Sequence, residues 1–287
     1  MLRIAFPNKG RLSEDALDLF RRAGLPAQFR AERALMAGLG EDFQALFVRA
    51  QDVPEFVADG AADLGITGSD LVWESGRDVR ELLDLGFGKC RLVVAVKDEA
   101  PAASASDLPA GTRIATSFPR IAQEFFREAG VPITVVPVSG ACEITPHIGV
   151  ADGIVDLVST GSTLRVNGLR ELATIVHSSA RLIGNVERLG EPESAAKVGE
   201  LVTALESVLR AQKKRYLMAN VPRARLDEVR EVIPGISGPT IVEVLDGGTW
   251  VAAHAVVDAD QVYQTINRLK ALGAEGILVT GIERLMP

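Results

Sequence analysis

The stretch Asp152-Gly-Ile-Val-Asp-Leu-Val-Ser-Thr-Gly-Ser-Thr-Leu164 decides how the rest of the chain is read. Ile154 to Val158 is a short apolar run with strand character, and it ends abruptly in Thr160, Gly161, Ser162 and Thr163. Small polar residues after a strand can cradle an anion. Here the hydroxyls donate, Gly161 lets the backbone bend and approach a ligand, and a helix starting near Thr163 aims free N–H groups at a phosphate. Asp156, four residues before Thr160, stands where a carboxylate accepts hydrogen bonds from two sugar hydroxyls. Together these features fit a ribose 5-phosphate. Ser/Thr/Gly clusters also serve as ordinary caps and turns, so the reading needs support from further along the chain.

That support lies upstream, in Glu143-Ile-Thr-Pro-His-Ile-Gly149. Glu143, Gly149, Asp152, Asp156, Thr160, Gly161, Thr163 and Leu164, in this order and spacing, resemble the signature of ATP phosphoribosyltransferase, the first enzyme of histidine biosynthesis. The resemblance implies a pentosyltransferase that condenses ATP with 5-phosphoribosyl 1-diphosphate. Phosphoribosyl-diphosphate loops of the type I fold usually carry two adjacent acids, but Val155 precedes Asp156 here. The departure fits the ATP-specific family.

Composition sets the outer limits. The chain has 287 residues, 47% hydrophobic and 24% charged, which describes a globular protein of two or three domains. A net charge of −7 argues against coating nucleic acid, so an anionic substrate must be held by local cations. Cys90 and Cys142 form neither a zinc pattern nor a disulfide framework. Met1 leads straight into a strand, with no leader-like succession and no apolar run approaching 18 residues. A cytoplasmic protein with no membrane partner is expected.

In chain order, Leu2 to Phe6 reads as a strand, followed by Pro7-Asn-Lys-Gly-Arg11 and a helix with Ala16, Leu17, Phe20 and Ala23 on its apolar face. Phe43 to Arg49 is a second strand, with Pro54 in the first turn of the next helix. Asp63 to Asp70 repeats the pattern: a short strand closed by Thr67, Gly68, Ser69 and Asp70 before a helix. Asp70 either caps that helix or, as the resemblance implies, contacts the nucleotide. Loops at strand carboxyl ends hold ligands in open α/β sheets, which points Lys9, Arg11 and Arg49 at the cleft. The family resemblance extends to Lys9-Gly-Arg-Leu12.

Strands follow at residues 82–85 and 91–97, then a Pro/Ala/Ser-rich loop to Gly111. Next come a strand at 113–116, a helix at 120–129 and a strand at 133–138. Segments 172–177 and 180–184 are expected to return the chain to the first lobe, and a long helix runs from Glu193 to Lys214. Beyond Arg215 the order is β-α-β-β-α-β: strands at 216–221, 240–245, 251–257 and 276–280, helices at 225–232 and 259–272. That succession predicts a ferredoxin-like sandwich.

The resemblance then covers the whole chain, in its long form. It implies an α/β catalytic part of two hinged lobes, similar to type II periplasmic binding proteins, followed by a ferredoxin-like (ACT-like) α+β regulatory domain. The expected limits are residues 1–90 and 184–210 for lobe I, 91–183 for lobe II with the phosphoribosyl-diphosphate loop, and 211–287 for the regulatory domain.

By resemblance, Glu143, Asp156, Lys9 and Arg49 are catalytic. Asp156, Ser159, Thr160, Gly161, Ser162 and Thr163 bind phosphoribosyl diphosphate, and Lys9, Gly10, Arg11, Gly68, Ser69 and Asp70 bind ATP. Histidine, the implied feedback inhibitor, would meet Asn220, Ser237 and Thr240, the last two supplying hydroxyls within the irregular turn Pro234-Gly-Ile-Ser-Gly-Pro-Thr240. No protein metal site is indicated, since His147 and His254 lack partners at ligand spacing. Mg²⁺ is expected on the substrate diphosphate. The resemblance also implies a homo-oligomer, a dimer or hexamer. A two-lobed binding or sensor protein without turnover is the alternative, weakened by the absence of a secretion signal and of a helix-turn-helix segment.

Overall fold

A computed structural model describes residues 1–29, 31, 34–244 and 248–286. The catalytic part contains two sheets. The first gathers β1 (Leu2–Pro7), β2 (Gln28–Phe29), β3 (Met36–Leu39), β4 (Phe43–Val48), β5 (Leu64–Gly68) and β6 (Val79–Asp84), with helices α1 (Arg11–Arg22), α2 (Val53–Ala58) and α3 (Ser69–Ser75) between them. The second begins with β7 (Cys90–Lys97) and β8 (Thr112–Thr116), continues through α4 (Pro119–Glu128), β9 (Ile133–Pro137), β10 (Gly153–Val158) and α5 (Ser162–Val166), and ends in β11 (Leu169–Ser178). After it, β12 (Ala180–Asn185) and the short α6 (Val186–Leu189) lead into the long α7 (Pro192–Gln212).

The sheet orders are β2-β3-β4-β1-β5-β12-β6 and β11-β7-β10-β8-β9. In each, a parallel core runs second, first, third, and the third strand then meets an antiparallel one: β4-β1-β5 before β12, and β9-β8-β10 before β7. This repeated order gives the α/β arrangement of type II periplasmic binding proteins. The central parallel strands β1, β5, β8 and β10 bury residues on both faces, as burial between helices requires. Ala5, Val53, Val57, Val72 and Ile183 pack in the first sheet's core, and Val94, Ile114, Phe126 and Val155 in the second's.

The chain crosses between the sheets twice, and the crossings lie side by side. The Leu85 amide donates to the Ala180 carbonyl at 2.9 Å, and the Ala180 amide to the Phe87 carbonyl at 3.0 Å. Segment 172–177 does not return the chain to the first lobe as expected, because it belongs to β11, which pairs with β7. The return comes at β12, all of which pairs with β5 and β6, so the exchange falls near residue 179 rather than 184.

The C-terminal unit holds β13 (Lys214–Pro222), α8 (Leu226–Val232), β14 (Thr240–Glu243), β15 (Trp250–Asp258), α9 (Val262–Ala271) and β16 (Glu275–Gly281). Its order β14-β15-β13-β16, antiparallel throughout, is the ferredoxin-like sandwich. Leu217, Val221, Val251 and Ala253 meet Val229 and Leu269 of the helices, which gives the unit a core of its own. Leu245, the predicted end of β14, lies outside the described residues, as does Pro287.

Candidate active site

β10 builds the site by alternation. Val155 points into the second sheet's core, which excludes a second acid at that position. Ile154 and Val158 take the opposite face with Cys142 and Leu164, and Asp156 stands half-buried between them on that face. A cavity of about 160 Å³ opens at the carboxyl end of the strand, lined by Glu143, Asp156 and the loop Ser159, Thr160, Gly161 and Thr163. Leu157, Val158 and Leu164 complete its wall.

The loop geometry follows from one glycine. Gly161 has φ +75° and precedes α5, and a Cβ there would lie 3.3 Å from Glu171 Oε1 as well as straining the backbone. Thr160 Oγ1 and Ser162 Oγ are 3.0 Å apart. The amides of Thr163 and Leu164 fall in the first turn of α5, where no intrahelical carbonyl is available to them. Ser162 itself lies outside the cavity wall and starts the helix one residue earlier than expected.

Glu143 reaches the same cavity from a 3₁₀ turn over Cys142–Ile144. The residue before it, Ala141, has φ +51°, the one left-handed non-glycine among the described residues. Strain of this kind concentrates at functional sites. Burial pushes the Asp156 carboxyl above its ordinary range and the Glu143 charge adds to the effect, while the Leu157 amide and the Cys142 thiol oppose it. Burial, then the Asp156 charge, push the Cys142 thiol up to about 12, so it stays protonated and donates to Asp156. Cys142 was not legible as part of the site, because an isolated apolar-seeming cysteine carries no spacing signal.

Two residues of the signature serve structure instead. Arg113 binds Asp152 through Nη2 at 2.7 Å and Nε at 3.1 Å, and reaches the Gly149 carbonyl at 2.8 Å. Gly149, at φ +75°, permits that turn. His147 Nε2 lies 2.7 Å from the Asn167 carbonyl oxygen and ties the turn to the end of α5.

The second group of predicted residues collects at the carboxyl edge of the first sheet. The Asn8 amide donates to the Val48 carbonyl at 2.7 Å, which sets the loops of Lys9 and Arg49 beside one another. All three cations, Lys9, Arg11 and Arg49, are exposed. Gly10, at φ +79°, starts α1 by accepting from the Ser13 and Glu14 amides. Fully buried Thr67 donates to the Ala50 carbonyl at 2.7 Å and so fixes the turn after Arg49.

Gly68 ends β5 next to them, but Ser69 and Asp70 turn inward. Asp70 is only 4% exposed, and its carboxylate accepts from Ser178 Oγ. Its amide also donates to Ser178 Oγ, at 3.1 Å. Gly68, not Asp70, occupies the N-cap position of α3. Burial raises the Asp70 carboxyl above its ordinary range. None of these first-sheet residues lines the cavity that holds Glu143 and Asp156. In the C-terminal unit, Asn220 and Thr240 fall on one sheet face, that of Tyr216 and His254, away from the helices. Ser237 is exposed in the turn before β14.

Fold and site together define a two-lobed α/β body with a cavity at a strand's carboxyl end, followed by a small α+β domain. The family model described as ATP phosphoribosyltransferase matches residues 49–207, and the model for the HisG C-terminal domain matches residues 211–284. The ATP phosphoribosyltransferase of Gemmatimonas aurantiaca is 61% identical over 292 residues, covering 100% of both chains, and that of Methanosarcina acetivorans is 50% identical over 293 residues, again covering 100% of both. The solved ATP phosphoribosyl transferase (HisG:HisZ) complex from Thermotoga maritima superposes with a TM-score of 0.65 at 27% identity, covering 73% of this chain and 99% of that one. The chain belongs to the ATP phosphoribosyltransferase family, in its long form.

Proposed function

We propose that this chain joins N1 of ATP to C1 of 5-phosphoribosyl 1-diphosphate and releases diphosphate, the first step of histidine biosynthesis. The observation that carries the reading is one cavity in which Asp156, Glu143, Thr160, Gly161 and Thr163 meet. In this reading the loop hydroxyls and the first-turn amides of α5 hold the 5-phosphate, and Asp156 accepts from the ribose hydroxyls. Lys9, Gly10, Arg11, Gly68 and Arg49 meet the polyphosphates, and Glu143 orients the diphosphate end. Ser69 and Asp70, buried against Ser178, support that edge from beneath.

Catalysis comes from positioning and electrostatics. The sugar carbon becomes oxocarbenium-like as the C1–O bond to diphosphate breaks and the N1–C1 bond forms, and no covalent enzyme intermediate is required. Glu143 and Asp156 fit a Mg²⁺ ion, which takes one or two carboxylates together with substrate phosphate oxygens. Among the described residues no cluster of three or more His, Cys, Asp or Glu could hold a metal alone, so the ion would share the diphosphate. When bound it neutralises charge on the leaving group. Arg49→Ala and Lys9→Ala are expected to raise the Michaelis constants, and unchanged kinetics in both would return these side chains to plain surface roles.

Histidine is proposed to bind the C-terminal unit at Asn220, Ser237 and Thr240, and the protein to act as a homo-oligomer in the cytoplasm. No helix among the described residues is long and apolar enough to cross a membrane. The test is incubation with ATP and phosphoribosyl diphosphate, following the absorbance of the N1-substituted adenine. Product with inverted C1 supports direct displacement. Both substrates binding without product would leave a binding protein, and a trapped ribosyl-enzyme would contradict the mechanism.

A further inference from the structure

Helix α3 belongs to the first sheet's half of the catalytic part, yet it grips the second half at both ends. At its start, Ser69 Oγ and the Asp70 amide each lie 3.1 Å from the hydroxyl of Ser178, which ends β11. At its other end, Glu74 reaches the first turn of α4. Its two carboxylate oxygens accept the amides of Arg120 and Ile121, each at 3.0 Å.

Those amides have no local acceptor. Phe118, at the N-cap of α4, offers no side-chain bond, and Pro119 has no N–H. The Phe118 amide is already taken by Thr116 Oγ1 at 2.9 Å. Glu74 therefore caps α4 from another helix, with its charge against the positive end of the dipole. The contact is built from both sides. The Arg120 guanidinium lies across Gly76, where a Cβ would stand 1.1 Å from Nη1, and Gly76 has φ +61° as the C-cap of α3.

We propose that Glu74 is a clasp between the two halves of the catalytic part, a positioning residue that sets how much of the protein holds its cleft closed. The inference rests on the function proposed above. Two adjoining chain crossings form the hinge, and the Asp70–Ser178 contact pins α3 beside it. Glu74 closes the span at the far end of the same helix. In an open cleft, water would solvate both the carboxylate and the α4 amides, so the contact can form and release at modest cost. Substrates that need both halves bind only the closed fraction, and their apparent affinity scales with that fraction.

The test compares the intact chain with Glu74→Ala and Glu74→Gln, the latter retaining an acceptor oxygen. Small-angle scattering without substrates needs no turnover and decides the clasp whether or not the proposed reaction is correct. Glu74→Ala is expected to enlarge the radius of gyration. It is also expected to raise KM for phosphoribosyl diphosphate, whose proposed contacts span both halves, roughly tenfold, with kcat within about twofold of the parent. Glu74→Gln should fall between, and carries the same comparison if the alanine variant fails to fold. A lowered melting temperature with parental radius and KM would reduce Glu74 to a helix cap and overturn the proposal. A KM change for ATP alone would overturn it as well.

Discussion

Asp70 shows how little of a residue's role lies in its immediate neighbours. Next to Gly68 and a helix start it has the sequence of a cap or a ligand contact, but its partner Ser178 is 108 positions away and no local pattern announces it. Burial raises its pKa, so the folded chain holds that proton more tightly than the unfolded chain does. The ionised form therefore costs stability, a cost absent below the ordinary value of 3.8 and complete above the raised one. Asp70→Asn, which keeps an acceptor for Ser178, should gain in melting temperature relative to the parent as pH rises from about 4 to 7. A difference independent of pH would show that Asp70 does not titrate in this way. The cradle residues were far more legible, because their chemistry sits on consecutive positions. Cys142, which donates to Asp156, was hidden for the same reason as Ser178: the contact is made by folding.

At the level of elements, apolar runs and their punctuation located the long strands and helices to within a few residues. The losses have physical causes. β2 and β3 are two and four residues long and contain Ala37 and Gly38, too short and too small to give a period. β11 was found inside the expected second-lobe limits of 91–183, but its pairing was not legible, because partners are chosen in space and its register with β7 shifts twice. Close packing gives a test of the α2–β5 contact. A Cβ on Gly65 would stand 2.5 Å from Val53 Cγ1 and 2.8 Å from Val57 Cγ2. Gly65→Val should cost about 1–3 kcal/mol by overpacking, read as a shifted denaturation midpoint. A neutral result would mean that α2 moves freely on the sheet. In the second sheet's core, Phe126→Ala should cost about 3–5 kcal/mol, and chemical denaturation that leaves stability untouched would contradict the described core.

Across the whole molecule, the β-α-β-β-α-β order alone foretold a separate C-terminal unit, and its independent core bears that out. The regulatory role proposed for that unit is a matter of linkage. Histidine would inhibit only by binding one state better than another, and a coupling of about 1–3 kcal/mol corresponds to roughly a 5–150-fold change in affinity. Ser237→Ala with Thr240→Val in the intact chain should weaken calorimetric histidine binding and inhibition together while leaving uninhibited turnover in place. Full inhibition in that variant would move the effector site elsewhere.

In the proposed site the phosphoribosyl group sits against Asp156 and the Gly161 loop while ATP depends on other residues. The decisive measurement is the affinity of both substrates for Asp156→Ala, with folding checked by circular dichroism. Loss of a hydrogen bond to a charged group, about 1.5–3 kcal/mol, should weaken phosphoribosyl diphosphate by roughly 10–150-fold and leave ATP binding close to the parent. Equal weakening of both substrates in a folded variant, or no change in either, would contradict the account.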